Sequence, residues 1–210
     1  MNEDKREFKL LQNKTPISLL PNALTILGVC LGLSSIKFAL DFNYEMAVIL
    51  IGFAAILDTL DGRVARLVKG TSKVGKELDS LTDVISFGVA PSFVMYFWSI
   101  NEIGKFGWMF VLIYTVCCAL RLARFNITSL KEQEIWKINF FEGVPSPAAA
   151  GLILLPLILN LSGFYEFKNN AIFSSILILA ISFLMVSNIP TYSLKRIIIP
   201  RSFTIFLLLG

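Results

Sequence analysis

The chain has 210 residues, 55% of them hydrophobic, a formal net charge of +4 and a mean hydropathy of +0.71. That balance excludes an ordinary soluble domain and fits a single all-α, polytopic membrane helix bundle. Histidine is absent, which excludes serine and cysteine triads, His-ligated zinc and phosphohistidine intermediates.

Met1–Lys14 is polar and basic rather than apolar with a cleavage site, so no signal peptide is expected. Apolar runs then predict six spans, over residues 17–39, 45–66, 79–100, 106–125, 147–163 and 170–190. Lys5, Arg6, Lys9 and Lys14 precede the first span. Arg63, Arg66, Lys69, Lys73 and Lys76 lie between the second and third, and Arg121, Arg124, Lys131 and Lys137 between the fourth and fifth. Lys195, Arg196 and Arg201 follow the sixth, which leaves only Lys37, Lys105 and Lys168 for the opposite side. The positive-inside rule therefore predicts cytoplasmic N- and C-termini in a cell (inner) membrane. Cys30, Cys117 and Cys118 stand in apolar runs without CxxC spacing and read as small buried hydrophobes. The last stretch, Phe203–Gly210, is apolar but too short to span. It either lies against the bundle or the membrane surface, or opens a further helix.

Span one opens with Pro21-Asn22-Ala23-Leu24-Thr25. Proline suits a helix start, and Asn22 can either cap the helix or reach a site at the cytoplasmic edge. Span two ends in Asp58-Thr-Leu-Asp61-Gly62-Arg63-Val64-Ala65-Arg66, and span three begins with Asp79 and Asp83. Carboxylates at such places cost several kcal/mol unless a metal, a counter-charge or water receives them. Residues three or four apart share a helix face. Asp58 with Asp61, and Asp79 with Asp83, would thus converge if the two helices are neighbours. Oxygen donors without nitrogen or thiolate suit Mg²⁺ or Mn²⁺, and four carboxylates can neutralise two such ions. Metal pairs of this kind recur where phosphoryl groups are displaced. Gly62 and Ala65 leave room for a ligand to approach. Arg66, Lys69, Lys73 and Lys76 suit a diphosphate, or else Arg66 pairs with an aspartate and the lysines only set topology.

The pattern D-x-x-D-G-x-x-A-R-x8-G-x3-D-x3-D, met by Asp58, Asp61, Gly62, Ala65, Arg66, Gly75, Asp79 and Asp83, resembles the signature of the CDP-alcohol phosphotransferases. The resemblance implies an integral-membrane enzyme that moves a substituted phosphoryl group from a CDP-linked donor to an alcohol and releases CMP. It assigns Asp58, Asp61, Asp79 and Asp83 to metal, with Asp83 also the base. It places Pro21, Asn22, Ala23, Leu24, Gly62, Ala65, Arg66, Ser72 and Gly75 against CDP-diacylglycerol. It also divides the chain into a cytoplasmic segment (1–16), a transmembrane catalytic domain (17–195) and a tail (196–210), in a family where homodimers are common. No nucleic-acid partner is expected.

Three further segments, 79–92, 120–126 and 141–150, together with 184–190, are similar to the branch of that family whose acceptor is L-serine. Arg121 and Arg124, three apart near a cytoplasmic helix end, suit an amino-acid carboxylate or a topological role. Asn126 and the Glu142–Ser146 loop are candidates for the rest of the amino acid, although Glu142 can equally pair with a lysine. Ser86 and Ser92 also suit helix packing. Glycerol 3-phosphate and inositol stay open as acceptors. A divalent-cation transporter stays open from another class, but the acidic cluster occurs once, without the paired half that a repeat transporter would show. With no histidine, a phosphatidyl-enzyme of the phospholipase-D type is not expected, and a single displacement is.

Overall fold

A computed structural model describes residues 20–67, 73–129, 140–163, 171–187 and 190–192. Helix α1 (Leu20–Leu40) turns at Asp41–Asn43 into α2 (Tyr44–Leu67). The Asn43 side-chain oxygen accepts the Met46 amide at 3.2 Å, which satisfies an orphan donor of the new helix. Helix α3 (Lys73–Asp83) runs through a π-turn (Val84–Val89) into α4 (Ala90–Trp98). A 3-10 turn (Ile100–Ile103) then leads to α5 (Lys105–Ser129). Two shorter helices follow, α6 (Ser146–Leu161) and α7 (Ala171–Val186).

The third span, expected from residue 79, starts earlier, at Lys73. Its first turns are polar and carry no apolar run to announce them. The helix packs on α1, with Thr82 against Gly28, while Lys76 and Glu77 are exposed. Asp79 and Asp83 therefore sit inside the helix, not at its start.

Helix α1 is the centre of the front half: it forms a hairpin with α2 and also touches α3, the π-turn and α4. Small residues make this possible. Gly28, Gly32, Ser35 and Ala39 are buried on one side of α1. A Cβ on Gly32 would lie 2.9 Å from the Ser86 hydroxyl and 3.1 Å from its Cα, so the backbones meet where no larger residue fits. Helix α5 packs on the π-turn and on α7, and α6 bridges α4 and α7. Phe87, Val94, Met95, Tyr114, Cys118, Ile153, Leu157, Ile178 and Met185 form the shared core.

Outside, the bundle is apolar. Leu27, Phe53, Leu112, Leu155 and Phe183 are exposed, a surface that fits lipid and not water. Among the described residues three helices, Leu20–Leu40, Gly75–Trp98 and Lys105–Ile127, are long and apolar enough to cross a membrane. The other three predicted spans fall short of that measure. In α2 the charges of Asp58, Asp61 and Arg63 interrupt the apolar stretch, and α6 and α7 have 16 residues each. The described chain is that of a helical membrane protein.

One element was not expected. Phe140–Glu142 pairs antiparallel with Pro190–Tyr192, Phe141 opposite Thr191, and ties the α5–α6 connection to the end of α7. Three-residue strands have too little pattern to be read from sequence. The expected N-terminal segment and C-terminal tail lie outside the described residues.

Candidate active site

The two acidic helices bring their carboxylates together as the spacing requires. Asp58 and Asp61, on the last turns of α2, meet Asp79 of α3, with one carboxylate oxygen from each within 4.8 Å of the others. Asp61 is 4% exposed, and Asp58 and Asp79 are half-buried. Asp83, one turn further along α3, interacts with the Asp58 carboxyl. Its Oδ1 is buried without a hydrogen-bond partner. Such a concentration of negative charge needs cations, and an all-oxygen donor set of three carboxylates in mutual reach fits a hard divalent ion.

Helix α1 supplies a partner that spacing could not reveal. The Thr25 hydroxyl, 5% exposed, donates to Asp61 Oδ2 at 2.7 Å. Thr25 lies one turn after Pro21, whose carbonyl it also approaches at 2.9 Å. A buried hydroxyl on a carboxylate orients it and fixes which lone pairs remain for a ligand. Replacing Thr25 with valine keeps the shape and removes the donor. We expect the metal concentration for half-maximal activity to rise about tenfold, with Thr25→Ser near wild type. Direct Mn²⁺ titration followed by electron paramagnetic resonance checks this without relying on turnover.

The described residues expected to line a donor lipid lie on α1 and on the two acidic helices. Pro21, Asn22, Ala23 and Leu24 form the opening of described α1: Pro21 is buried, Asn22 and Leu24 half-buried and Ala23 exposed. Around the position of a Gly62 Cβ there is open space, with no atom within 4 Å. Ala65 and Gly75 are half-buried on the two acidic helices, and Arg66 stands in the last turn of α2. Ser72 and Lys69 lie outside the described residues.

On the other side of Asp83 stands α5. Arg121 is half-buried there and interacts electrostatically with the Asp83 carboxyl. Its Nη1 donates to Ser146 Oγ at 2.7 Å, and its Nε is buried without a partner. Ser146 is held in place by the loop before it. Gly143 has φ +75°, and a Cβ there would be 2.6 Å from the Met185 carbonyl, so only glycine lets the loop close on the end of α7. Arg121 and Arg124 each make a hydrogen bond to the protein, Arg121 to Ser146 and Arg124 to the end of α7. Arg124 is exposed and donates from Nη1 to the Val186 carbonyl at 3.0 Å, where a helix C-terminus favours a cation. Asn126 Nδ2 donates to Ser80 Oγ at 2.8 Å, which fastens the end of α5 to the α3 turn between Asp79 and Asp83.

Thr25 and Ser80 are polar residues beside the site whose partners the sequence does not reveal, and for Ser146, already a candidate from its loop, the partnership with Arg121 is new. Their only signal is a small hydroxyl near a helix end, which is shared by many capping and packing residues.

The comparisons point the same way as the geometry. Residues 18–199 match the model of the family described as CDP-alcohol phosphatidyltransferase. A protein of Mycobacterium tuberculosis (strain ATCC 25618 / H37Rv) named CDP-diacylglycerol–serine O-phosphatidyltransferase is 39% identical over 195 residues, covering 91% of this chain and 67% of that one. A Helicobacter pylori (strain ATCC 700392 / 26695) protein of the same name is 42% identical over 183 residues, 87% of this chain and 75% of its own. The Bacillus subtilis (strain 168) protein of that name is 36% identical over 180 residues, 86% of this chain and 93% of its own. With the family model matching most of its length and the motif aspartates gathered at one site, this chain belongs to the CDP-alcohol phosphatidyltransferase family.

Proposed function

We propose that the chain transfers the phosphatidyl group of CDP-diacylglycerol to the hydroxyl of L-serine, giving phosphatidylserine and CMP. The observation that carries this reading is the cluster of Asp58, Asp61 and Asp79 with Asp83 beside it and Arg121 in electrostatic reach of Asp83. Three relatives, 36% to 42% identical, bear the name of that reaction, which supports serine over glycerol 3-phosphate or inositol.

In this reading Asp58, Asp61, Asp79 and Asp83 hold two divalent ions, Mg²⁺ or Mn²⁺. Such ions, when bound, neutralise the diphosphate and act as Lewis acids on its oxygens. The protein's own groups do the rest. Pro21, Asn22, Ala23, Leu24, Gly62, Ala65, Arg66, Ser72 and Gly75 bind and orient the CDP-lipid, with the open space at Gly62 admitting the diphosphate. Arg121 takes the serine carboxylate on the guanidinium edge that Ser146 leaves free, and Asn126 holds the neighbouring wall. Arg124 secures the end of α7 there. Asp83 accepts the proton of the serine hydroxyl as that oxygen bonds to the phosphatidyl phosphorus. The bond from this phosphorus to the bridging oxygen breaks, and CMP leaves with that oxygen.

The same reading sets the chain in an inner membrane with six spans, α2, α6 and α7 crossing as part of the bundle. Both termini and the aspartates face the cytoplasm, where the lysines and arginines of the joins accumulate. Residues 1–16, 17–195 and 196–210 are then a cytoplasmic segment, the catalytic domain and a tail. The chain acts on lipid without nucleic acid, and its apolar outer faces leave room for a homodimer.

The test is CMP release from CDP-diacylglycerol by the purified protein in detergent. Serine, glycerol 3-phosphate and inositol are offered separately, with Mg²⁺, Mn²⁺ or chelator. We expect release with serine alone and none with chelator. Release with another acceptor would move the Arg121 assignment, and no release from folded protein with any acceptor would sink the reading.

A further inference from the structure

Pro91 lies inside a continuous helix and has no N–H, so the Phe87 carbonyl four residues earlier loses its α-helical donor. The helix does not break. It widens into the π-turn Val84–Val89, where the Ala90 amide donates to Ile85, five residues back. Phe87 is fully buried, and a carbonyl left there without a donor is costly. A donor comes from another helix: the Tyr114 hydroxyl of α5 reaches the Phe87 carbonyl at 3.0 Å. Tyr114 is itself fully buried.

The turn is gripped on both flanks. On α1, Ser86 Oγ donates to the Gly28 carbonyl at 3.2 Å. On α5, a Cβ at Gly88 would lie 3.2 Å from Cys118, so the backbone sits directly on that helix. After the turn, Ser92 Oγ donates to the Gly88 carbonyl at 2.8 Å. Tyr114, Cys118 and Arg121 are spaced four and three apart along α5, so one helix face serves the turn and faces Asp83.

Asp83 is the residue immediately before the turn. One extra residue in a helical turn rotates the segment before it by about 100° relative to the segment after it. The direction of the Asp83 carboxyl relative to α4 and α5 therefore depends on the π-turn keeping its register.

We propose that Tyr114 is a positioning residue for Asp83: its hydroxyl holds the carbonyl that Pro91 deprives of its α-helical donor, and so keeps the turn that aims Asp83 at the acceptor. This inference rests on the reading of Asp83 as proton acceptor.

Tyr114→Phe removes one oxygen and keeps the ring. CMP release with serine is measured on the full chain, normalised to CDP-diacylglycerol binding sites so that unfolded protein does not count. We expect kcat to fall about tenfold, with KM for both substrates within about twofold of wild type. A purely structural role would lower the melting temperature and the number of binding sites, but not kcat per site. An unchanged kcat per site overturns the inference. The same substitution is then made in Asp83→Asn. There it is expected to leave the residual rate unchanged, since Tyr114 acts through the group already removed. A further loss of about tenfold in that background would show that the hydroxyl acts by another route and would overturn the inference. Near-normal turnover by Asp83→Asn alone would instead overturn the proton-acceptor reading, whatever Tyr114→Phe does.

Discussion

Asp83→Asn is expected to lower turnover about a thousandfold while CDP-diacylglycerol binding stays close to wild type. The amide keeps the size of the carboxyl but cannot accept the serine proton as the new bond forms. The position of Asp83 makes this separation from binding possible. It contacts Asp58 from outside the three carboxylates that meet within 4.8 Å, and one of its oxygens is buried without a partner. Asp58→Asn should behave differently, because Asp58 is within the cluster. Its metal affinity should fall about ten- to a hundredfold, and activity should recover in part at high metal. The check is kcat, lipid binding and Mn²⁺ titration on both variants. If Asp83→Asn turned over at near the wild-type rate, another group would have to be the base.

The second large effect is expected at Arg121. Its guanidinium is half-buried, is fixed at one edge by Ser146 and has a buried Nε without a partner. A carboxylate bound there would gain a charge-assisted, two-pronged contact in a place shielded from water. Arg121→Ala should raise the KM for serine about a hundredfold and leave the KM for CDP-diacylglycerol unchanged. Arg121→Lys should recover little, since an ammonium cannot hold Ser146 and a carboxylate in one plane. Arg124→Ala should instead cost stability more than serine affinity, because its mapped contact is with the end of α7. Steady-state kinetics in serine separates the two arginines. Equal KM shifts for both would restore them as a pair.

How far the chain could be read from sequence depends on the range of the interaction concerned. Hydropathy is local, so the membrane class and the longest spans were legible in the apolar runs. The acidic centre was legible for the same reason. Three- and four-residue spacings on regular helices settle which side chains share a face, and the motif needs only 26 residues from Asp58 to Asp83. What failed locally had no periodicity to show. The polar start of α3 packs on α1, and the three-residue strands pair across some fifty residues of chain.

Tertiary structure alone decided which polar groups complete the site. Thr25 and Asp61 are 36 residues apart, Arg121 and Ser146 25, and Asn126 and Ser80 46. A lone hydroxyl or amide carries no pattern that names so distant a partner, because the pairing depends on how helices pack. The π-turn is the clearest case. Pro91 was visible as a residue without a donor, but a proline in a helix can kink it, end it or be absorbed as a bulge. Which of these occurs depends on what surrounds the freed carbonyl, and here that is a tyrosine on another helix. The residues therefore determined that the four carboxylates would gather at one site. The packing determined the direction in which the last of them points.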